Sequence, residues 1–476
     1  MRRVINPPCV FKRGDILKNF DTIAAVSTPQ GVGGIAVIRV SGDRAFEITD
    51  KVFCTKSGKK LTETETHKIV YGFIKDEDGC NIDEVLVSKM DAPHTFTGEN
   101  VTEISCHGGV SVVKLVLKEL LKAGARLAAN GEFTKRAFLN GKIDLAQAEA
   151  VIDIINADSE LNVYNGENQL YGALTDKLMA IRNSLIDITS DIIAVIDYPE
   201  EDITVENISE TIEKLKKAND DIQLLMKSYH TGKILKEGAK IVIAGKPNVG
   251  KSSLLNALLK ENRAIVTEIE GTTRDVLEES LEIDGLKVRI MDTAGVRTSA
   301  DEVEKIGIDK AIENIESADL VLFVLDKSRE LSDEDIELME RIKDKNAFVV
   351  LNKSDLEIKL SLTDIRKHLP GKRIFEISSK TFDGINEMTE AIKDKILDGD
   401  VNIKENVYIS NERHFEMLHH ASEHIKQAVI DLENGIYPDI VSIEIENAIS
   451  SLGEITGQTV SDEIIHNIFA KFCLGK

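Results

Sequence analysis

Gly245-Lys-Pro-Asn-Val-Gly-Lys-Ser252 is the stretch that decides the fold. It fits the pattern G-x-x-x-x-G-K-[ST] in full. Residues 239–244 (Ala-Lys-Ile-Val-Ile-Ala) read as a buried strand, and residues 251–260 read as a helix. A strand–loop–helix turn of this kind aims backbone N–H groups and the positive end of the helix at a phosphate chain. In such a loop Lys251 reaches the β- and γ-phosphates and the Ser252 hydroxyl ligates Mg²⁺. The plain alternative is a glycine turn between a strand and a helix, and the residues that follow argue against it.

Asp292-Thr-Ala-Gly295 ends the apolar run Val288-Arg-Ile-Met291. An acid at a strand end, opening D-x-x-G, is the Mg²⁺ and γ-phosphate sensor of P-loop hydrolases. Asn352-Lys-Ser-Asp355 then follows a strand at 347–351. A carboxylate at Asp355 accepts from N1–H and the 2-amino group of guanine. Adenine lacks both donors and would leave that carboxylate unpaired, which a site rejects strongly. Ser378-Ser-Lys380, after a strand at 374–377, would close over the same base. In this order the motifs imply a guanine-nucleotide hydrolase.

The chain has 476 residues, enough for about three domains, and a net charge of −23. That charge argues against nonspecific nucleic-acid binding through the protein's own field. No run of about 18 apolar residues is present, so no membrane span is expected. Met1-Arg-Arg-Val4 lacks an apolar signal core. The five cysteines, an odd number without C-x-x-C, fit a reducing cytosol with neither a zinc site nor a disulfide framework. The expected location is cytoplasmic.

Residues 21–120 carry short β-rich runs, such as 35–40 and 85–90, with Asp78-Gly79 as a hairpin turn. This reads as an α+β domain. From about Asp144 the pattern turns helical, with apolar residues at three- and four-residue spacing over 146–155 and 178–196. Pro199 and the acids at 200–202 break it, and it resumes from Ile208 to about Ser228. Residues 239–398 alternate strands with helices, the signature of a parallel sheet covered on both faces. Helices return from Asn411. Because domain termini often lie close together, the two helical flanks are expected to form one bundle with the hydrolase inserted.

Gly271-Thr-Thr-Arg-Asp275 lies where a first switch belongs, and Thr273 would give its hydroxyl to Mg²⁺. Val296 follows Gly295 where Ras-like enzymes carry a water-orienting glutamine. Valine cannot orient water, so Arg297, Asp301, Glu302 and Glu304 are the candidates, in a segment that otherwise reads as a solvated loop. Asn248 offers a neutral oxygen beside the phosphates. It either holds a monovalent cation in place of an arginine finger or shapes the loop through local hydrogen bonds.

Three further stretches flank the nucleotide region: Asp21-Thr-Ile-Ala-Ala-Val-Ser-Thr-Pro-Gln-Gly-Val-Gly-Gly34, the segment Gly131–Ala150 with its Asn140-Gly-Lys142, and Phe472-Cys-Leu-Gly-Lys476. Together and in this order, over about residues 21–476, they resemble the tRNA modification GTPases of the MnmE (TrmE) family. The resemblance implies a multidomain chain. It would have a 1–20 extension, an α+β folate-binding and dimerisation domain at 21–140, and an all-α domain at 141–238 and 399–476. An inserted α/β P-loop GTPase (Ras-like) domain would occupy 239–398. It implies a homodimer that joins an FAD-dependent MnmG-type partner in a heterotetramer. The pair would add an aminomethyl or carboxymethylaminomethyl group to C5 of a tRNA wobble uridine, using 5-formyl- or methylene-tetrahydrofolate.

The implied GTP contacts are Asn248, Val249, Gly250, Lys251, Ser252 and Ser253; Thr267, Glu268, Ile269, Glu270, Gly271, Thr272 and Thr273; Asp292, Thr293, Ala294 and Gly295; Asn352, Lys353, Ser354 and Asp355; and Ser378, Ser379 and Lys380. Mg²⁺ falls to Ser252 and Thr273. K⁺ falls to Asn248, Thr267, Ile269 and Thr272. The folate contacts fall on Arg39, Glu103, Lys142 and Lys476, the catalytic glutamate on Glu304, and the family's functionally important cysteine on Cys473. Two rival readings are a ribosome-assembly GTPase, which would not bind folate, and a stand-alone folate enzyme with a regulatory GTPase, which would need no flavoprotein.

Overall fold

In the computed structural model the described residues are 21–197, 205–261, 263–264, 278–292, 313–397, 403 and 406–476. They form two compact units. The first holds the described residues up to Ile152 together with Leu170–Leu215 and Glu423–Lys476, and the second holds Asp153–Gln169 and Lys216–Ser422.

The first unit contains a sheet of β1 (Ile23–Val26), β2 (Ile35–Ser41), β3 (Phe53–Cys54), β4 (Lys68–Lys75), β5 (Asn81–Met90), β6 (Val101–His107) and β7 (Arg126–Leu127). Its order is β3-β4-β5-β6-β2-β1-β7, antiparallel except for the parallel pair β1/β7. Alternation along the strands sends Ala36, Ile38, Val40, Ile104 and Cys106 to one face. The helices Ala45–Val52 and Val110–Lys122 cover that face with Ile48, Val52, Val116 and Leu120. Each such buried aliphatic contributes about 1.5–3 kcal/mol. The opposite face carries Arg39 directly across from Glu103 and leaves Ile35, Ile69, Tyr71 and Leu86 exposed. Between β4 and β5 the Gly79 N–H donates to the Asp76 carbonyl, closing the turn expected at Asp78-Gly79.

Helices from the two ends of the chain pack together. In the first unit Ala173–Asp197 lies along Pro438–Thr456. The former buries Leu178, Ile181, Leu185 and Ile188, and the latter buries Val441, Ile445, Ala448 and Leu452. Proline at the first turn starts this last helix, and Gly457, at φ +81°, ends it by donating to the Gly453 carbonyl. In the second unit Gln223 Nε2 donates to Ser422 Oγ at 2.8 Å, and the Tyr229 and Phe415 rings stack at 4.6 Å.

The second unit is built on β8 (Ala239–Ala244), β9 (Arg263–Ala264), β10 (Glu278–Ile283), β11 (Leu286–Asp292), β12 (Leu320–Asp326), β13 (Ala347–Asn352) and β14 (Arg373–Glu376). The order is β14-β13-β12-β8-β11-β10-β9, parallel from β14 to β11 and antiparallel beyond it. Every residue of β12 and β13 is buried, as expected of strands covered on both faces. Ile241, Ile243, Leu322 and Val324 pack into one apolar layer, and Val242, Ala244, Val321 and Phe323 into the other. Strand order reverses at β8, so the loop leaving its carboxyl end opens into the crevice where α/β sheets bind ligands.

Candidate functional site

The loop after β8 needs both its outer glycines. Gly245 has φ +146° and Gly250 φ +100°. A Cβ on Gly245 would overlap the Val324 carbonyl, and one on Gly250 would overlap the Asn352 side-chain nitrogen. Asn248 adopts φ +66°, a conformation asparagine tolerates better than most side chains. Val249 is buried and anchors the loop from below. Lys251 opens the helix Lys251–Glu261, and its ammonium donates to the Gly245 carbonyl at 2.7 Å and the Lys246 carbonyl at 2.8 Å. Ser252 and Ser253 are exposed in the first turn of the same helix. Lys246 Nζ pairs with Asp335 Oδ2 at 3.0 Å, holding the loop to the helix Asp333–Ile342.

The Asn352-Lys-Ser-Asp355 motif is joined to this loop by hydrogen bonds. Asn352, 2% exposed at the end of β13, donates Nδ2 to the Val249 carbonyl at 3.1 Å. Its Oδ1 accepts from Ser379 N–H at 3.2 Å and Ser379 Oγ at 3.0 Å. Lys353, at φ +65°, donates Nζ to Asp326 Oδ2 at 2.6 Å and to the Asn248 carbonyl at 3.4 Å. Ser354 N–H bonds the Ile377 carbonyl, and Ser378 Oγ donates to Asp355 Oδ1 at 3.0 Å. Lys380 is exposed beside them. Asn248 to Ser253, Asn352 to Asp355 and Ser378 to Lys380 thus come together from three separate loops.

Asp326 is a member of this set that the motifs do not name. Burial raises its carboxyl pKa, but hydrogen bonds from Lys353 and Ser328 outweigh that and hold it below the usual carboxylate range. The signal for it is an acid closing the wholly apolar run Leu320–Leu325. The backbone of Asp292 ends β11, paired in register with Ile243 of β8. Thr267, Glu268, Ile269, Glu270, Gly271, Thr272, Thr273, Thr293, Ala294, Gly295 and Glu304 lie outside the described residues.

What can this arrangement hold? A glycine-bearing loop that runs from a strand end into a helix N-terminus fits a phosphate chain. A lysine ammonium already lies over the loop carbonyls. Ser252 presents a hydroxyl in the first turn of the following helix. Among the described residues no three His, Cys, Asp or Glu side chains group as a metal site.

A second constellation lies in the first unit. Arg39 pairs with Glu103 at 2.8 Å and sits 5.2 Å from the Phe96 ring centre and 5.5 Å from that of Phe133. Lys142 Nζ donates to the Pro93 carbonyl at 3.1 Å, in the same β5–β6 connection as Phe96. The chain terminus is fastened here too. Phe133 N–H donates to the Lys476 carbonyl at 3.2 Å, Gly131 N–H to the Cys473 carbonyl at 3.4 Å, and Ser27 Oγ to the Gly475 carbonyl at 3.1 Å. Arg39, Glu103, Lys142 and the backbone of Lys476 therefore share one neighbourhood, and Cys473 is exposed at its edge. Beneath it, buried Arg136 joins Glu99 at 3.1 Å and Glu132 at 3.0 Å. Burial would raise the Glu132 carboxyl, but hydrogen bonds from Arg126, the Ala129 N–H and Arg136 bring it down to about 2.

A Ras-like strand order, with a P-loop leaving the strand at the switch point and an Asn-Lys-Ser-Asp motif bonded to it, defines a P-loop GTPase domain. The regions flanking it match known families as well. The model described as "MnmE helical domain" matches residues 145–473, and that described as "GTP-binding protein TrmE N-terminus" matches residues 22–142. A "tRNA modification GTPase MnmE" from Clostridioides difficile (strain 630) is 45% identical over 459 residues, covering 96% of this chain and 99% of that protein. Proteins of the same name from Alkaliphilus oremlandii and Thermoanaerobacter sp. (strain X514) are each 44% identical. Each alignment covers 96% of this chain, with 99% and 100% of the respective relative. The chain belongs to the MnmE (TrmE) family.

Proposed function

We propose that this chain is a K⁺-activated GTP hydrolase of tRNA modification. With an FAD-dependent partner it adds an aminomethyl or carboxymethylaminomethyl group to C5 of the wobble uridine, taking the carbon from a tetrahydrofolate. The observation that carries the hydrolase reading is the bonded set that joins Asn352 to Val249 and Ser379. The family membership and the clustered Arg39, Glu103, Lys142 and Lys476 support the folate half.

Guanine would lie against Asp355, with Asn352 and Ser379 keeping the pocket shape. The loop N–H groups would cradle the phosphates. Lys251 would exchange its carbonyl partners for β- and γ-phosphate oxygens, and Ser252 would share Mg²⁺ with Thr273. Asn248, Thr267, Ile269 and Thr272 would hold K⁺, whose charge stabilises the transition state as an arginine finger does. Glu304 would orient the attacking water. In the N-terminal unit Arg39, Lys142 and Lys476 suit the carboxylates of a folate tail, and Glu103 suits the amino-pyrimidine edge of the pterin. The exposed Ile35, Ile69, Tyr71 and Leu86 on the same sheet face support a second copy docking there. No helix among the described residues is long and apolar enough to cross a membrane, which suits a cytoplasmic enzyme.

The test is reconstitution. The chain, the flavoprotein, unmodified tRNA, methylene-tetrahydrofolate, an amine donor and GTP are combined, and the nucleosides are analysed. C5-modified uridine that appears only with GTP and folate supports the reading. Modification without this chain, or none with every component present, contradicts it.

A further inference from the structure

The chain folds back between Glu412–Glu433 and Pro438–Thr456 in a tight turn. Gly435, at φ +70°, donates to the Leu432 carbonyl at 3.1 Å, and Ile436 donates to the Asp431 carbonyl at 2.9 Å. His424 Nδ1 and Glu444 Oε2, 2.7 Å apart, clasp the two helices just behind the turn. Val441, Ile445 and Ala448 already supply the inward, buried stripe of the second helix. The outward side is nonetheless apolar. Ile430, Ile436, Tyr437, Ile440 and Ile443 are all exposed, Tyr437 by 77% and Ile443 by 54%. Isolated exposed aliphatics are ordinary. Five exposed apolar side chains gathered around one turn are not scattered singly, and such gatherings mark interaction surfaces.

Charge narrows what can cover it. From Gln427 to Ala470 the sequence has no lysine or arginine, while Asp431, Glu433, Asp439 and Glu446 lie on or beside the turn. A second copy would set acid against acid. RNA and anionic lipid are excluded by the same repulsion. We propose that this helical turn is a docking surface for a protein whose contact face has an apolar centre ringed by lysine and arginine. Tyr437 and Ile440 are its anchors, and the carboxylates are its steering rim. Aromatic anchors inside a polar rim are the usual anatomy of such contacts.

The inference rests on the partner reading above, because the probe is the purified FAD-dependent partner from the same genome. Binding to the full-length chain is measured by titration for wild type and for Tyr437→Ala, Ile440→Ser, Ile443→Ser and Asp439→Lys. Unchanged basal GTP hydrolysis and thermal midpoint serve as folding controls. Tyr437→Ala and Ile440→Ser are expected to weaken Kd at least about tenfold. Asp439→Lys is expected to slow association severalfold and flatten its salt dependence. If the three apolar variants bind within about twofold of wild type, the docking surface is overturned and the partner reading stands. If wild type itself does not bind, both fall.

Discussion

Asn352 donates its side-chain amide to the Val249 carbonyl at 3.1 Å, so the Asn352-Lys-Ser-Asp355 motif is physically tied to the glycine loop after β8. The same side chain accepts two hydrogen bonds from Ser379 on its other side. One buried amide therefore sets the spacing between the glycine loop and the loop carrying Ser379.

Replacing Asn352 with alanine removes four side-chain hydrogen bonds, to the Val249 carbonyl, the Lys353 N–H and Ser379 twice, and strands their partners beneath the loop. The expected cost is about 1–3 kcal/mol of stability, with GTP affinity falling at least tenfold. Thermal unfolding and nucleotide titration check both. Unchanged GTP affinity would remove the bridge from the account.

Asp355 accepts a hydrogen bond from Ser378. Asp355→Asn replaces an acceptor with a donor where guanine presents donors. GTP should weaken and xanthosine triphosphate should gain, because xanthine offers a carbonyl at the 2-position. Competition between the two nucleotides for the same variant reads the switch directly.

Gly250→Ala places a methyl group against the Asn352 side-chain nitrogen and forces an unfavourable φ. It should abolish GTP binding, whereas Asn256→Ala, at an exposed position further along the helix, should change affinity by less than about threefold. Equal affinities for the two variants would contradict the close approach of loop and amide.

These tests also show what the sequence made legible. The β8–loop–helix unit was readable almost to the residue, because the phosphate loop dictates its flanks. The helix at 146–155 and the strand runs at 35–40 and 288–291 were readable from periodicity. Helices from both flanks of the nucleotide region do pack on one another, but the flanks are divided between the two compact units, with Asp153–Gln169 and Lys216–Ser422 in the unit of the second sheet. The ties that fix the site's spacing were not readable. Asp326 gripping Lys353, and Lys246 pairing with Asp335, are contacts between elements far apart in the chain, which no local spacing encodes. The anchoring of Phe472–Lys476 against Ser27, Gly131 and Phe133 is of the same kind.

Glu132 gives a pH signature. Its pKa is lowered to about 2 in the folded chain, so its contribution is fully present above the unfolded carboxylate value. That contribution is lost as pH falls through the folded one. Glu132→Gln should lose on the order of 2–3 kcal/mol near neutral pH. Its stability should fall less steeply than that of wild type between about pH 4.5 and pH 2. Denaturant midpoints over that range test the sign, and parallel curves would contradict it.

The terminus supplies a separable prediction. Gly475 packs so closely on the Val26 carbonyl that a Cβ would overlap it. Gly475→Ala, or removal of residues 472–476, should weaken 5-formyl-tetrahydrofolate binding strongly and leave basal GTP hydrolysis unchanged. Isothermal titration with the folate and a phosphate-release assay separate the two effects.

Activation of GTP hydrolysis by a monovalent cation at Asn248 is the proposed step most open to direct test. The direct measurement is GTP hydrolysis by the purified full-length chain in K⁺ and in Na⁺ at matched ionic strength, without partner. The account predicts strong stimulation by K⁺ that Asn248→Ala removes. Equal slow rates in both salts would contradict it.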